Sequence, residues 1–169
     1  MASLRDPAPG ERECGDWVGS LTLPDADATW LMVVDGLGHG PPAALAAQAA
    51  MNHLLVTLTD PDLLGQPAAA LAGLEPALRD TRGAAVGLVC VQRGELVHAG
   101  IGNTRCRLWR GGHMKGLHSV YGIAGAFSGH GASGGAGVTE TRMALQPGDW
   151  VLMFSDGLAE NIHMDVVPG

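Results

Sequence analysis

A predicted strand is followed directly by a predicted helix in one short stretch, Val33-Val34-Asp35-Gly36-Leu37-Gly38-His39-Gly40-Pro41-Pro42-Ala43. The apolar residues before the aspartate are typical of a buried strand, and two consecutive prolines suit the first turn of a helix. Residues 43–58 are almost wholly Ala, Leu, Met and Gln, which predicts a largely buried helix. The glycines between the two elements allow backbone and ligand to approach each other closely.

Strand-like runs lie on both sides of this point. Residues 17–23, a turn at 24–27 and residues 29–35 predict a hairpin. Helical residues 67–81 are interrupted by Gly73 and Pro76, so we expect that helix to be kinked or split. Later runs predict short strands at 84–92, 95–100, 104–110, 138–144 and 150–154, the first three of them as a meander. The order of elements predicts an α+β protein with mostly antiparallel sheet.

Composition excludes several classes of protein. A chain of 169 residues with 46% hydrophobic and 16% charged residues is globular and has the size of one domain. The 26 glycines follow no three-residue period, which excludes collagen. The net charge is −7 and Lys115 is the only lysine, so a nucleic-acid-binding surface is not expected.

The sequence shows no membrane span, no targeting signal and no cysteine or histidine metal motif. No apolar run approaches the roughly 18 residues of a membrane span, and residues 1–15 do not resemble a targeting signal, so we expect a cytoplasmic protein with no membrane partner. The three cysteines, Cys14, Cys90 and Cys106, form no C-x-x-C pair. The histidines form no H-x-x-x-H pattern, and a zinc site is therefore not expected.

Three aspartates share one local design, because each lies at the end of or beside an apolar strand and next to glycine: Asp16, Asp35 and Asp156. Carboxylates on strand ends, together with a backbone carbonyl such as that of Gly36, are ligands that Mg²⁺ or Mn²⁺ prefers. A single Asp-Gly pair is also the commonest turn signal. A small β-rich protein whose Asp-Gly pairs are only turns is therefore an alternative hypothesis.

The order of these motifs resembles that of the metal-dependent phosphatases of the protein phosphatase 2C-like (PPM) class, in their bacterial SpoIIE-like branch. Among them, bare catalytic domains of the RsbX-like type are the most similar. The matching stretches cover most of the chain: 13–16, 33–40, 78–85, 100–104, 121–125 and 154–158.

The resemblance implies a single phosphatase domain over 1–169, built as a four-layer αββα sandwich of two mostly antiparallel sheets flanked by helices. It implies two Mn²⁺ or Mg²⁺ ions, with Asp35 bridging both, the Gly36 carbonyl binding one and Asp156 the other, while Asp16 acts on metal or on its water. A water activated by both ions would then hydrolyse phosphoserine or phosphothreonine. The implied partner is a phosphorylated regulatory protein of the bacterial stress response, of the anti-anti-sigma or stressosome type.

One departure from the family pattern affects the metal site. The family carries a last aspartate, in an Asp-Asp element, well after the Ser-Asp-Gly motif, whereas Asp165 is the sole aspartate between Asp156 and Gly169. We therefore expect a domain that is short at its C-terminus, without its last strand and helix, in a truncated sequence or with an incomplete site. A catalytically weak or inactive phosphatase-like binding module in the same pathway is the alternative function.

Other polar residues have weaker assignments. Arg79 and Arg82 could bind substrate phosphate, although arginines at helix ends are more often solvated or capping residues. His39 lies in the glycine loop (residues 36–40). We favour a structural role for it in this loop, or a position next to phosphate, over metal binding. Asn103 is interpreted as a turn residue, and Ser155 has no nucleophile elbow around it.

Overall fold

The chain opens with an antiparallel hairpin in the computed structural model, which describes residues 2–7, 9–125 and 137–156. Strand β1 (Asp16–Leu23) pairs with β2 (Ala28–Gly36), and a short 3₁₀ turn at Pro24–Ala26 joins them. The register places Asp16 directly opposite Asp35. The predicted hairpin is therefore confirmed, and it brings two of the three candidate carboxylates together at its open end.

Two antiparallel sheets account for all eight strands of the described residues. The other strands are β3 (Ala84–Gln92), β4 (Glu95–Ile101), β5 (Arg105–Arg110), β6 (His113–Leu117), β7 (Thr141–Ala144) and β8 (Trp150–Phe154). The first sheet has the order β1-β2-β3-β4-β7, and the second has the order β6-β5-β8. The sequence analysis missed β6 as a strand.

The predicted meander is only partly right. Strands β3 and β4 pair, but β5 lies in the other sheet. The chain turns away at Gly102, which has a φ of +90° and so little room that a Cβ there would lie 2.5 Å from the Cβ of Ala85. The main-chain nitrogen of Gly102 donates a hydrogen bond to Val120, 2.8 Å away, so the segment after β6 takes the place beside the end of β4.

The helices cover one face of the five-stranded sheet. Helix α1 (Gly40–Thr57) is followed by the short helices α2 (Pro67–Ala72) and α3 (Glu75–Leu78), so the predicted split of the second helix is confirmed. The core under them is made of alternate residues of the strands and the small face of α1, including Trp30, Met32, Val34, Ala46, Ala47, Ala50 and Leu54. Alanines on this face let the helix lie close to the sheet.

A second core lies between the two sheets, around Val89, Leu96, Cys106 and Leu117. The fold class is therefore confirmed: an α+β protein of two antiparallel sheets with helices. Within the described ranges the helices lie on the five-stranded sheet, so three of the four expected layers are seen. The tail after residue 156 lies outside the described residues. No helix in the described part is long and apolar enough to cross a membrane.

Gly36 sets the distance between β2 and α1. A Cβ on this residue would overlap the carbonyl oxygen of Ala43, so the strand end touches the backbone of the first helical turn. By contrast, a Cβ on Gly116 in β6 would meet nothing within 4 Å.

We predict that Gly36→Ala destabilises the fold by about 3 kcal/mol or more, because two backbones must separate to admit one methyl group. Gly116→Ala, as the matched control, should change the unfolding free energy by less than about 0.5 kcal/mol. Urea unfolding followed by circular dichroism measures both variants. Equal stabilities of the two variants would contradict the close contact at Gly36.

His98 lies in β4 between the two sheets and is only 1% exposed. Neither of its ring nitrogens has a hydrogen-bond partner in the part of the chain that the structure describes. Burial, with a smaller contribution from the charge of His118, lowers the pKa of His98 from 6.5 to about 4. The folded state therefore binds this proton more weakly than the unfolded state.

We predict that His98 lowers the free energy of unfolding by up to about 3 kcal/mol as the pH falls from about 6.5 to about 4. Across this window the unfolded chain takes up a proton that the folded chain rejects. His98→Gln should remove that component of the pH dependence, whereas His113→Gln, at an exposed position, should keep it. The measurement is urea unfolding at pH 7, 5.5 and 4. Parallel pH profiles for wild type and His98→Gln would refute the prediction.

Candidate active site

Two of the candidate carboxylates lie on the β1–β2 hairpin. Asp16 and Asp35 are direct cross-strand partners and therefore project from the same face of the sheet. This face is the one turned toward the three-stranded sheet, because Leu31, four residues before Asp35, packs in the core between the sheets. Like charges directly opposite each other destabilise a strand pair. The hairpin register thus concentrates negative charge at one end of the sheets.

The third carboxylate comes from the other sheet. Asp156 follows β8 by two residues, and the intervening Ser155 donates a hydrogen bond from Oγ to Oδ2 of Asp16, 2.6 Å away. Asn103, in the connection between β4 and β5, donates from Nδ2 to Oδ2 of Asp156 at 2.7 Å. These two bonds connect both sheets at the end where the carboxylates lie.

Asp35 is affected by its burial and by both neighbouring carboxylates. Burial, followed by the charges of Asp16 and then Asp156, raises the pKa of Asp35 from 3.8 to about 7. A hydrogen bond from Asn103 acts in the opposite direction but does not offset the rise. The fold therefore holds Asp35 in surroundings that lack enough positive charge for a carboxylate.

Gly36 is held at the same place by the backbone. Its nitrogen donates to the carbonyl oxygen of Gly15 at 3.0 Å, which extends the hairpin by one bond beyond Asp16 and Asp35. The next residue, Leu37, donates its main-chain N–H to the carbonyl oxygen of Gly83, also at 3.0 Å. The start of the glycine loop is therefore fixed on both sides.

The donor set fits a hard divalent cation. Three carboxylates and a main-chain carbonyl form an all-oxygen set, which Mg²⁺ and Mn²⁺ prefer. Burial and the two neighbouring carboxylates disfavour the charged form of Asp35, and a bound cation would favour it. No three His, Cys, Asp or Glu side chains of the described ranges form a ready-made metal cage. Asp16 and Asp156 instead each accept a hydrogen bond from a neutral side chain.

Sequence reasoning missed the role of two residues in this cluster. Asn103 is interpreted there as a turn residue, yet its amide contacts Asp156. Ser155 is weighed there only as a nucleophile, whereas its hydroxyl orients Asp16. Both contacts join residues more than 50 positions apart in the chain, and the only local signal was that each residue lies beside a glycine or an aspartate of a motif.

His39 lies apart from the hydrogen bonds of the carboxylate cluster. It is the N-cap residue of α1, and its Nδ1 lies 2.7 Å from Oε1 of Glu11. The same glutamate lies so close to Gly40 that a Cβ there would be 2.7 Å from Oε2. The contact ties the N-terminal segment to the start of α1.

A pocket of about 320 Å³ opens beside the carboxylates rather than over them. Asp16 and Ser155 form its rim, and its walls include Val18, Val33 and Met153. The N-terminal residues 2–6 form another side, where Nη1 of Arg5 donates to the main-chain oxygen of Asp16 at 3.1 Å. The pocket volume is at the low end of the range for small-molecule sites.

Solved structures share this architecture. One such structure comes from work on the bacterial stressosome, which is described as a modular system adapted to control secondary messenger signalling. It is 27% identical to this chain and has a TM-score of 0.78, and the match covers 98% of this chain and 78% of that one. RsbX in complex with magnesium is 17% identical, with a TM-score of 0.76, over 94% of this chain and 74% of its own.

The PP2C phosphatase domain of SpoIIE from Bacillus subtilis, solved with a fragment of its regulatory domain, is 20% identical, with a TM-score of 0.70, over 91% of this chain and 44% of its own. No curated protein matches the chain. The family model described as Stage II sporulation protein E (SpoIIE) matches residues 25–167, from the turn of the first hairpin to the tail after Asp156. This match shows that the chain belongs to the SpoIIE family, and its paired sheets give it the fold of the PP2C-type phosphatase domains.

Proposed function

We propose that the protein is a metal-dependent protein serine/threonine phosphatase and that residues 1–169 form one phosphatase domain. The observation that carries the proposal is that Asp16, Asp35 and Asp156 lie together at one end of two sheets, linked by the hydrogen bonds of Ser155 and Asn103. Burial, and then the charges of Asp16 and Asp156, raise the pKa of Asp35 there. Such a cluster costs stability, and proteins keep it where a cation is used. Membership of the SpoIIE family supports the same activity.

In this proposal the four residues Asp16, Asp35, Gly36 and Asp156 hold two Mn²⁺ or Mg²⁺ ions. Bound divalent cations supply two effects, a lowered pKa of water and neutralisation of phosphoryl charge. Ser155 holds the carboxylate of Asp16 in one orientation, and Asn103 does the same for Asp156. No side chain of the cluster needs to form a covalent bond to phosphorus.

The proposed substrate is a phosphoserine or phosphothreonine on a regulatory protein of the bacterial stress response, of the anti-anti-sigma or stressosome type, and the proposed location is the cytoplasm. The likeness to a stressosome structure, at 27% identity, and to RsbX supports this assignment. The acidic net charge of −7 gives no support to a nucleic-acid partner.

A phosphatase-like binding module is the second candidate, because no three described side chains form a closed metal cage. Such a module would bind the phosphorylated partner without hydrolysing it. Calorimetry with a phosphoserine peptide and millimolar Mn²⁺ separates the two functions: tight binding without phosphate release supports the module, and phosphate release supports the enzyme.

We predict that phosphate release from a phosphoserine peptide requires Mn²⁺ or Mg²⁺ and stops on chelation. Asp35→Asn and Asp156→Asn should each lower the rate by more than about 100-fold, because each removes a charged ligand. Ser155→Ala should lower it by about 10-fold, since it only orients Asp16. Asp25→Asn, in the exposed turn of the same hairpin, serves as the control and should leave the rate unchanged. Activity of Asp35→Asn at the wild-type level would refute the mechanism.

Removing the charge of Asp35 should lower the activity but raise the stability of the metal-free protein. Without divalent metal, Asp35→Asn should raise the unfolding free energy at pH 7.5 by about 1 kcal/mol, because repulsion from Asp16 and Asp156 is removed in a partly solvated site. With Mn²⁺ at about 100 times its Kd, the wild type should gain about 2.7 kcal/mol and the variant much less. Thermal unfolding with and without Mn²⁺ measures both effects, and an equal Mn²⁺ response of the two proteins would contradict the assignment of Asp35.

A further inference from the structure

The glycine loop lies at the start of α1, but this helix end is a poor anion site. A helix N-terminus attracts phosphate through free main-chain N–H groups. Here Gly40 is the first helical residue, and Pro41 and Pro42 follow it. Because proline has no N–H, two of the first three donors are missing. An anionic substrate that reaches the acidic cluster therefore needs a positive group from another element.

Arg82 supplies that group from the neighbouring loop. A Cβ placed on Gly38 would lie 2.9 Å from Nη1 of Arg82, so the guanidinium lies against the glycine loop two residues after Gly36. The register of β2 and β3, which pairs Gly36 with Ala84, puts the two loops at the same end of the sheet.

The backbone around Arg82 is fixed by hydrogen bonds. The hydroxyl of Thr81 donates to the carbonyl oxygen of Leu78 at 2.8 Å and accepts from the N–H of Gly83 at 3.0 Å. The carbonyl oxygen of Gly83 accepts from the N–H of Leu37 at 3.0 Å. The arginine therefore extends from a loop that is bonded directly to the segment carrying Asp35.

The guanidinium of Arg82 is exposed and makes no hydrogen bond or ion pair with residues 2–7, 9–125 or 137–156. Two arginines that contact the backbone of cluster residues differ in this respect. Arg5 donates to the main-chain oxygen of Asp16 and stacks over Trp17 at 4.1 Å, and Arg105 donates to the main-chain oxygen of Asn103.

We propose that Arg82 binds the phosphoryl group of the substrate and thereby makes phosphoserine or phosphothreonine, rather than the unmodified residue, the preferred ligand. The proposal rests on the proposed phosphatase function and names the residue that selects its substrate. A guanidinium presents two parallel N–H donors that match two phosphoryl oxygens. Its charge also offsets the repulsion between a phosphate and the acidic cluster.

The test compares Arg82→Gln and Arg82→Lys with Arg93→Gln in the full chain. Arg93 is an exposed arginine in the turn between β3 and β4, at the opposite end of β3, and so controls for net charge. Arg82→Gln should raise KM for a phosphoserine peptide by roughly 10- to 100-fold, with kcat changed by less than about 3-fold. Arg82→Lys should raise KM less than Arg82→Gln does, because lysine keeps the positive charge but lacks the two parallel N–H donors of the guanidinium.

A binding measurement separates this proposal from the phosphatase function itself. Calorimetric titration of the Mn²⁺-saturated proteins with inorganic phosphate should show at least about 10-fold weaker binding for Arg82→Gln and wild-type binding for Arg93→Gln. The affinity for Mn²⁺ alone should be the same in all variants. Absence of turnover in the wild type would overturn the phosphatase function, while the phosphate titration would still decide the role of Arg82.

Two results would overturn the assignment of Arg82. One is a wild-type KM and phosphate affinity in Arg82→Gln. The other is an equal loss in Arg79→Gln, because Arg79 is the C-cap residue of α3, three residues before Arg82, and the role is assigned to Arg82 alone.

Discussion

A partly buried pair of carboxylates, Asp16 and Asp35, determines how the rest of this end of the fold is arranged. The hairpin register fixes the two carboxylates directly opposite each other, and Asp156 adds a third from the other sheet. A fold gains nothing from this arrangement by itself, since like charges across a strand pair are unfavourable. Two well-packed cores offset the stability that this pair loses. They lie on the two faces of the five-stranded sheet, one under the helices and one between the sheets.

The surrounding contacts position this charge without neutralising it. Ser155 and Asn103 are uncharged donors, and each binds one carboxylate oxygen. Gly36 brings the strand end against the backbone of α1, which stiffens the loop that follows Asp35. A lysine in place of either neutral donor would stabilise the cluster but would also compete with a cation. In the proposed function, the stability lost in this arrangement serves the binding of a cation.

Local patterns were enough to predict most of the elements. The hairpin, the alanine-rich helix and the split second helix follow from hydrophobic periodicity, proline and glycine, which act over a few residues. The three aspartates could be chosen because each lies at the end of or beside an apolar strand and next to glycine. The pairing of β5 with β8, the burial of His98 and the bonds of Asn103 and Ser155 could not be predicted, because they join distant parts of the chain. The difference between Arg79 and Arg82 likewise appears only when two loops are seen side by side.

We propose that Asp16, Asp35 and Asp156 form a metal centre. Crystals of the full chain grown with Mn²⁺ test it most directly, through the anomalous difference density of manganese. Manganese peaks are expected within about 2.5 Å of the carboxylate oxygens of Asp35 and its neighbours and of the Gly36 carbonyl oxygen. A map at saturating Mn²⁺ with no peak at these residues, or with manganese bound only elsewhere on the chain, would contradict it.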